Sequence, residues 1–493
     1  MGKIHYTAIV ISALTVLLVG ACTVEPTDQA VRTTPTVAVE QQDPALESEV
    51  RRHELVQLDE APARLQQLSG RRDFYTAMPA ASGIAKLRAP SEPVNRENYA
   101  HFSDNPLQRV SEDPFSTFSI DVDTGAYSNM RRMLNAGNRP LKDAIRTEEL
   151  INYFSYDYPR PDRKATPFSI TTEVGPSPWN PDAQLLHIGI QGYDVPRAQL
   201  PASNLVFLVD VSGSMQSPDK LELLKSALRL LVRELKADDR VSMVVYAGAS
   251  GVVLETTAGD QTATIMAALD GLTAGGSTNG GAGIRLAYAL AQQAFIKDGI
   301  NRVILATDGD FNVGTVDFEM LKQLVEDRRE TGIGLTTLGF GSGNYNDQLM
   351  EQLADAGNGN YAYIDTLSEA RKALVDEMSS TLMTIAKDVK IQVEFNPATV
   401  AEYRLIGYEN RALAREDFGN DKVDAGEIGA GHSVTAIYEI VLSGSAGQRL
   451  LGSRYQPQQL AVSNTDELAL VRLRYKQPRG EDSTLIEQPV RSS

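Results

Sequence analysis

The stretch from about residue 204 to residue 386 leaves a chain little choice of fold. Leu205-Val-Phe-Leu-Val209 and Val303-Ile-Leu-Ala306 are continuous apolar runs, the pattern of strands buried on both faces. Behind the first run, Ser217 and Pro218 supply an N-cap and a first helical residue. Leu221, Leu224, Leu228, Leu231 and Leu235 then recur at alternating spacings of three and four, one face of a helix. The alternation continues. Strands are predicted at Val241–Tyr246, Leu335–Phe340 and Tyr361–Ile364, and helices around Thr262–Leu272, Gly281–Ile296, Phe318–Glu330 and Asp347–Ala356, with a closing helix at Ser368–Ile385. Strands alternating with helices specify an α/β fold with a doubly wound, mostly parallel sheet. Such a sheet binds ligands at the carboxyl ends of its strands, where the strand order reverses.

At ~150 residues per domain, the 493-residue chain has room for about three units. Residues 95–201 read as a small α+β module. Phe115–Asp123 alternates like a strand, and Thr124 is placed to cap a short helix ending at Gly137. A second helix is predicted over Thr147–Tyr153, and strands at Phe168–Val174 and Leu185–Gln191. Asp121 and Asp123 have no third ligand nearby in sequence and read as a solvated strand end beside the cap. In residues 387–493, Val389, Ile391, Val393 and Phe395 alternate, as do Ala436, Tyr438, Ile440 and Leu442, and Val471, Leu473 and Tyr475. This predicts a separate C-terminal antiparallel β domain of sandwich type.

The N-terminus carries an address. Lys3 precedes an apolar stretch running to Val19, and Gly20 and Ala21 then stand before Cys22, the only cysteine. Residues 1–21 have the form of a secretory signal peptide. The run Ile9–Ala21 is short for a membrane span. Residues 22–94 are rich in Thr, Pro, Gln, Ala and Glu and read as a flexible tether. A coil of that length spans roughly 45–50 Å. The Val-Gly-Ala-Cys pattern resembles the lipobox of bacterial lipoproteins. That resemblance implies diacylation of Cys22 and anchoring to a membrane of the cell envelope, and Thr23 in place of Asp after the cysteine resembles the outer-membrane sorting class.

One constellation carries chemistry. The first strand ends in Asp210-Val-Ser212-Gly-Ser214. A second loop holds Gly275-Gly-Ser-Thr278, and a third, Ala306-Thr-Asp308-Gly-Asp310, ends another buried strand. All three belong on one rim of one sheet. Carboxylates and hydroxyls are hard oxygen donors that select Mg²⁺, Mn²⁺ or Ca²⁺ over softer metals. An alternative reading has Ser212 and Ser214 simply capping the helix. An EF-hand reading of Asp308, Asp310, Asn312 and Glu319 meets Val313 where the loop's sharp turn needs Gly. The chain has no P-loop, no Gly-x-Gly-x-x-Gly and no Gly-x-Ser-x-Gly elbow, which argues against nucleotide-binding enzymes and serine hydrolases. A net charge of −17 disfavours nucleic acid as a partner.

The three-loop set resembles the metal-ion-dependent adhesion site of von Willebrand factor type A domains, over about residues 204–386. The resemblance implies a Rossmann-like α/β fold and a divalent cation held by Asp210, Ser212, Ser214, Thr278 and Asp308. It implies an acidic side chain of a protein or matrix partner completing the coordination. An enzyme acting through the metal is the less favoured reading, because the sequence offers no candidate nucleophile or general base beside the site. Phe115-Ser-Thr-Phe-Ser-Ile-Asp-Val-Asp-Thr, Thr147-Glu-Glu-Leu-Ile-Asn-Tyr-Phe and Thr307-Asp-Gly-Asp-Phe-Asn-Val-Gly resemble a bacterial family of type A lipoproteins, with an N-terminal module before the type A domain and a β domain after it. Members often continue past the β domain with a helical tail; this chain stops at Ser493 without one, which reads as a truncated or short variant. The function expected is metal-dependent adhesion or protein–protein interaction; the alternative is an accessory subunit of a membrane transporter or channel.

Overall fold

The computed structural model describes residues 96–161, 166–276, 280–309, 318–451 and 466–492. The signal peptide, Cys22, the tether and Thr278 lie outside the described residues.

In chain order, the N-terminal segment contributes β1 (Gln108–Arg109), β2 (Phe115–Ser119), α1 (Gly125–Asn135), α2 (Thr147–Asn152), β3 (Phe168–Pro176) and β4 (Gln184–Gly192). The central segment contributes β5 (Ser203–Asp210), α3 (Leu223–Val232), β6 (Arg240–Tyr246), β7 (Ser250–Ala258), α4 (Thr262–Asp270), α5 (Gly280–Gln293) and β8 (Ile300–Thr307). It continues with α6 (Phe318–Glu330), β9 (Gly334–Phe340), α7 (Asp347–Ala356), β10 (Tyr361–Ile364), α8 (Leu367–Arg371) and α9 (Met378–Leu382). The C-terminal segment adds β11 (Thr384–Phe395), β12 (Val400–Ile406), β13 (Gly426–Gly429), β14 (Ser433–Leu442), β15 (Glu467–Lys476) and β16 (Ser483–Arg491).

The central sheet has the order β10-β9-β8-β5-β6-β7 and is parallel except at the β6–β7 edge. Every residue of β5 is buried, as its unbroken apolar run requires. Leu205, Phe207 and Val209 face a core built with Leu224, Leu228, Ile265 and Ala370. Val206 and Leu208 face the other side, against Ile284, Tyr288, Leu321 and Leu353. Burying each large side chain contributes roughly 1.5–3 kcal/mol. From β5 the chain moves to β6 on one side and later to β8 on the other, so the strand order reverses between β5 and β8.

Three local expectations need correction. β7 is an additional strand; its Val252 and Val253 are exposed, so no alternation marks it. The predicted closing helix is broken into α8, a widened π-helical turn at Lys372–Asp376, and α9, and residue 384 already begins β11. Thr124 makes no side-chain capping bond. The Glu149 carboxylate instead accepts from the Ala126 N–H at 2.7 Å, at the start of α1.

The largest difference concerns the flanks. Residues 95–201 and 387–493 do not form separate sheets. One sheet runs β1-β12-β14-β4-β3, taking strands from both ends of the chain. In the other, β15 pairs with one edge of β11 and β16 with β15. The opposite edge of β11 takes β13 along Thr384–Val389 and β2 along Lys390–Glu394. Ile188 and Ile190 of β4, Tyr438 and Ile440 of β14, Ile391 and Val393 of β11, and Val471 and Leu473 of β15 share one core, so the sheets form a sandwich. A Cβ on Gly192, where β4 ends, would lie 2.7 Å from the Ile385 side chain of β11. The α/β domain is thus inserted into the sandwich, and its entry and exit points touch.

Asp121 and Asp123 are buried at this junction, against the expectation of a solvated strand end. Arg411 lies 3.3 Å from Asp121, 3.7 Å from Asp123, 3.5 Å from Glu351 and 2.6 Å from Asp355, while Arg146 pairs with Glu149, Asp347 and Glu351. Asp123 also accepts from the Tyr361 N–H of β10 at 2.8 Å. Asp347, Glu351 and Asp355 all project from α7, so two arginines from the flanking segments hold this helix of the α/β domain.

Candidate metal centre

Asp210 ends β5, and Thr307 ends its neighbour β8 with Asp308 just beyond, so both carboxylates come to the rim where the strand order reverses. Asp210 is fully buried. Its Oδ1 accepts from the Ser212 N–H at 2.8 Å, and its Oδ2 accepts from the Thr307 hydroxyl at 2.8 Å and the Tyr246 hydroxyl at 3.2 Å. Burial pushes its pKa up to about 6, with the charge of Asp308 adding to the rise and the hydrogen bonds opposing it.

Ser212 and Ser214 turn their hydroxyls toward each other at 2.9 Å, and neither Ser212 nor Ser217 caps the short helical turns that follow them. The helix-capping alternative therefore finds no supporting bond. The second loop docks on the first: the Gly275 N–H donates to the Val211 carbonyl at 2.7 Å, and the Gly213 N–H to the Gly276 carbonyl at 3.0 Å. Gly276 lies two residues before Thr278.

The third loop turns at Gly309, with φ +85°, where a Cβ would meet the Asn346 N–H nitrogen at 2.3 Å. Only glycine satisfies both the left-handed backbone and this close approach. Asp308 is fully buried. Its Oδ2 accepts from the Lys220 ammonium at 2.9 Å and from the Asn344 amide at 3.4 Å, and Lys220 also donates to the Asn344 Oδ1 at 3.2 Å. The Asn344 loop is fastened from outside. The Arg96 N–H donates to the Gly343 carbonyl and the Asn98 N–H to the Tyr345 carbonyl, each at 2.8 Å, and the Asp347 N–H returns a bond to the Asn98 carbonyl at 3.0 Å.

The structure thus brings together Asp210, Ser212, Ser214 and Asp308. It adds Thr307, Tyr246, Lys220 and Asn344, which nothing in the sequence pattern singled out. Among the described residues no three His, Cys, Asp or Glu side chains converge as ligands. The donor set is instead two carboxylates plus hydroxyls, all hard oxygen. The Lys220 ammonium stands against one of these carboxylates. These residues fit a hard divalent ion.

Residues 204–377 match the family model for the von Willebrand factor type A domain, residues 93–187 the model described as von Willebrand factor, and residues 380–493 the model of the C-terminal region of uncharacterized protein YfbK. The chain is 50% identical over 400 residues to uncharacterized protein YfbK of Escherichia coli (strain K12), covering 80% of this chain and 69% of that protein. It is 31% identical over 186 residues to uncharacterized protein sll0103 of Synechocystis, covering 37% of this chain and 43% of that one. Among solved structures, a von Willebrand factor type A protein from Catenulispora acidiphila matches with a TM-score of 0.40 and 16% identity, over 66% of this chain and 72% of that chain.

Proposed function

We propose, given that the chain belongs to the YfbK family and is built around a von Willebrand factor type A domain, that it is a non-enzymatic interaction protein of the bacterial cell envelope. Domains of this type typically mediate protein–protein interaction. Here the central domain holds Mg²⁺, or Mn²⁺ or Ca²⁺, through Asp210, Ser212, Ser214 and Asp308, with Thr278 supplied by the second loop. The cation in turn takes an acidic side chain of a protein or matrix ligand. The observation that supports this is the meeting of two buried carboxylates and a serine pair at the strand-order reversal, where this class of sheet binds ligands. A bound cation supplies an open, positively charged coordination position; the chain's part is to present the oxygens and keep them aligned. Asp210 is aligned by Ser212, Thr307 and Tyr246, and Asp308 by Lys220 and Asn344.

Attachment is proposed to run through diacylated Cys22 and the tether to the outer membrane. Among the described residues no helix is long and apolar enough to cross a membrane.

Titration calorimetry with Mg²⁺ and Mn²⁺ tests the centre. Asp210→Ala should abolish the heat of binding while leaving the far-ultraviolet dichroism unchanged, because Asp210 sits at a strand end. Equal cation affinity in the two proteins would refute the metal-bridged reading.

A further inference from the structure

Lys220 occupies an unusual place for a lysine. It is buried within a widened π-helical turn, Pro218–Glu222, between the first metal loop and α3. Its stem lies across Gly341, where a Cβ would come within 2.2 Å of the Lys220 Cε. Gly341 has φ +73°, so the backbone there is shaped around the lysine. The ammonium is thereby directed to the Asp308 Oδ2 at 2.9 Å and the Asn344 Oδ1 at 3.2 Å. A buried ammonium with no counter-charge is expensive, and so is a buried carboxylate. Each is compensated by the other.

From this geometry we infer that Lys220 is an internal counter-cation of the rim that sets how strongly the site takes a divalent ion and how strongly the loaded site takes an acidic ligand. The inference rests on the metal reading given above and deepens it. The charge arithmetic is short. Asp210 and Asp308 carry two negative charges, and Ser212 and Ser214 carry none. A divalent cation cancels these two carboxylates, so without Lys220 the described residues of the rim would carry no net charge once loaded. With Lys220 held beside Asp308, the loaded rim keeps one positive charge. Lys220 therefore has two opposed effects. It competes for Asp308 and weakens cation binding, and it leaves the loaded rim attractive to an external carboxylate. Asn344 belongs to the same device, since it bonds both Lys220 and Asp308 and keeps the ammonium from moving away.

The test uses the full chain, with Mn²⁺ and acetate as probes and the variants Lys220→Gln, Lys220→Met and Lys220→Arg. Calorimetry reads Mn²⁺ affinity, and water-proton relaxation of the Mn²⁺-loaded protein reads acetate displacing bound water. Removing one unit charge from a buried rim should tighten Mn²⁺ about tenfold in Lys220→Gln and Lys220→Met. The same variants should bind acetate several-fold more weakly, and Lys220→Arg, which keeps the charge, should track the wild type. The gain in thermal midpoint on adding Mn²⁺ is a readout that a purely structural lysine would not change. The midpoint gain on adding Mn²⁺ should be larger in Lys220→Gln than in wild type, because the ion then replaces the lost counter-charge. If wild type binds Mn²⁺ and the neutral variants bind it equally or more weakly, the role of Lys220 is refuted and the metal centre stands. If neither wild type nor the neutral variants bind Mn²⁺, the metal reading itself falls, and the inference with it. If Lys220→Met does not fold, Lys220→Gln, which retains a hydrogen-bonding amide, carries the same comparison.

Discussion

The α/β domain and the β sandwich are made from similar raw material, apolar runs separated by polar turns, yet they are assembled in opposite ways. The α/β domain is continuous from β5 to α9, and each parallel strand finds its neighbours through a helix crossover. The sandwich is discontinuous. Ser119 pairs with Lys390, Gln191 with Ser433, and Gln108 with Tyr403, all across the inserted domain. The first arrangement can form from near neighbours, whereas the pairings that join the two halves of the second, β1–β12, β2–β11 and β4–β14, must close loops of the inserted domain's full length before they are rewarded. The contiguous domain is therefore the scaffold on which the two halves of the sandwich are brought together, and the touching of Gly192 and Ile385 marks where that happens.

The sharpest way to break this comparison is to cut the chain. Residues 203–382 expressed alone should keep the circular dichroism of an α/β fold and unfold cooperatively. Residues 384–493 alone should be unstructured or aggregated, because β11 has lost β2 and β14 has lost β4. A folded, monomeric 384–493 fragment would show that the sandwich is two independent halves after all.

A smaller perturbation acts on the join. Arg411→Met leaves Asp121, Asp123, Glu351 and Asp355 without their shared cation. Stranding buried charge in this way should cost roughly 3–5 kcal/mol in denaturant titration. The single unfolding transition should also split, with the sandwich melting ahead of the α/β domain. Loss of less than about 1 kcal/mol would mean that the arginine only decorates the interface.

The mildest effect is a pH slope. Burial, reinforced by the charge of Asp121, pushes Glu148 from its ordinary value near 4.5 up to about 7. The folded chain then holds a proton between those values that the unfolded chain has released. Stability contributed by that proton is present at low pH and is lost as pH rises through about 7. Glu148→Gln should flatten this slope and match wild type near pH 4. At pH 8 it should exceed wild type by about 3 kcal/mol, read from denaturation midpoints across the range.

What the sequence made legible follows the same division. The β5 run and the Leu221–Leu231 stripe are local signals, and they land in the strand and on the buried face predicted for them. Asp210, Ser212, Ser214 and Asp308 could be grouped from sequence because each follows a readable strand of one parallel sheet. Lys220 could not, because the turn that buries it is not an ordinary helix, and its partner lies far along the chain. Asp121 and Asp123 were misread for the same reason. Arg411, which makes their burial tolerable, comes from the other half of the sandwich. The strands of that sandwich were individually visible by alternation, but period-two patterning names a face and not a partner.

The fastening of residues 96–98 to the Asn344 loop has a mechanical consequence. Everything N-terminal to residue 96 joins the described protein at this point. Tension transmitted along the chain from that side is borne by the main-chain bonds to Gly343 and Tyr345, which bracket Asn344. The Glu97 carboxylate shares the load, accepting from the Gly343 N–H at 2.9 Å and pairing with Arg132 of α1 at 3.0 Å. A pull on the N-terminal side is thus a pull on the loop that positions Lys220 and Asp308, and it reaches that loop before it strains any strand of the three sheets.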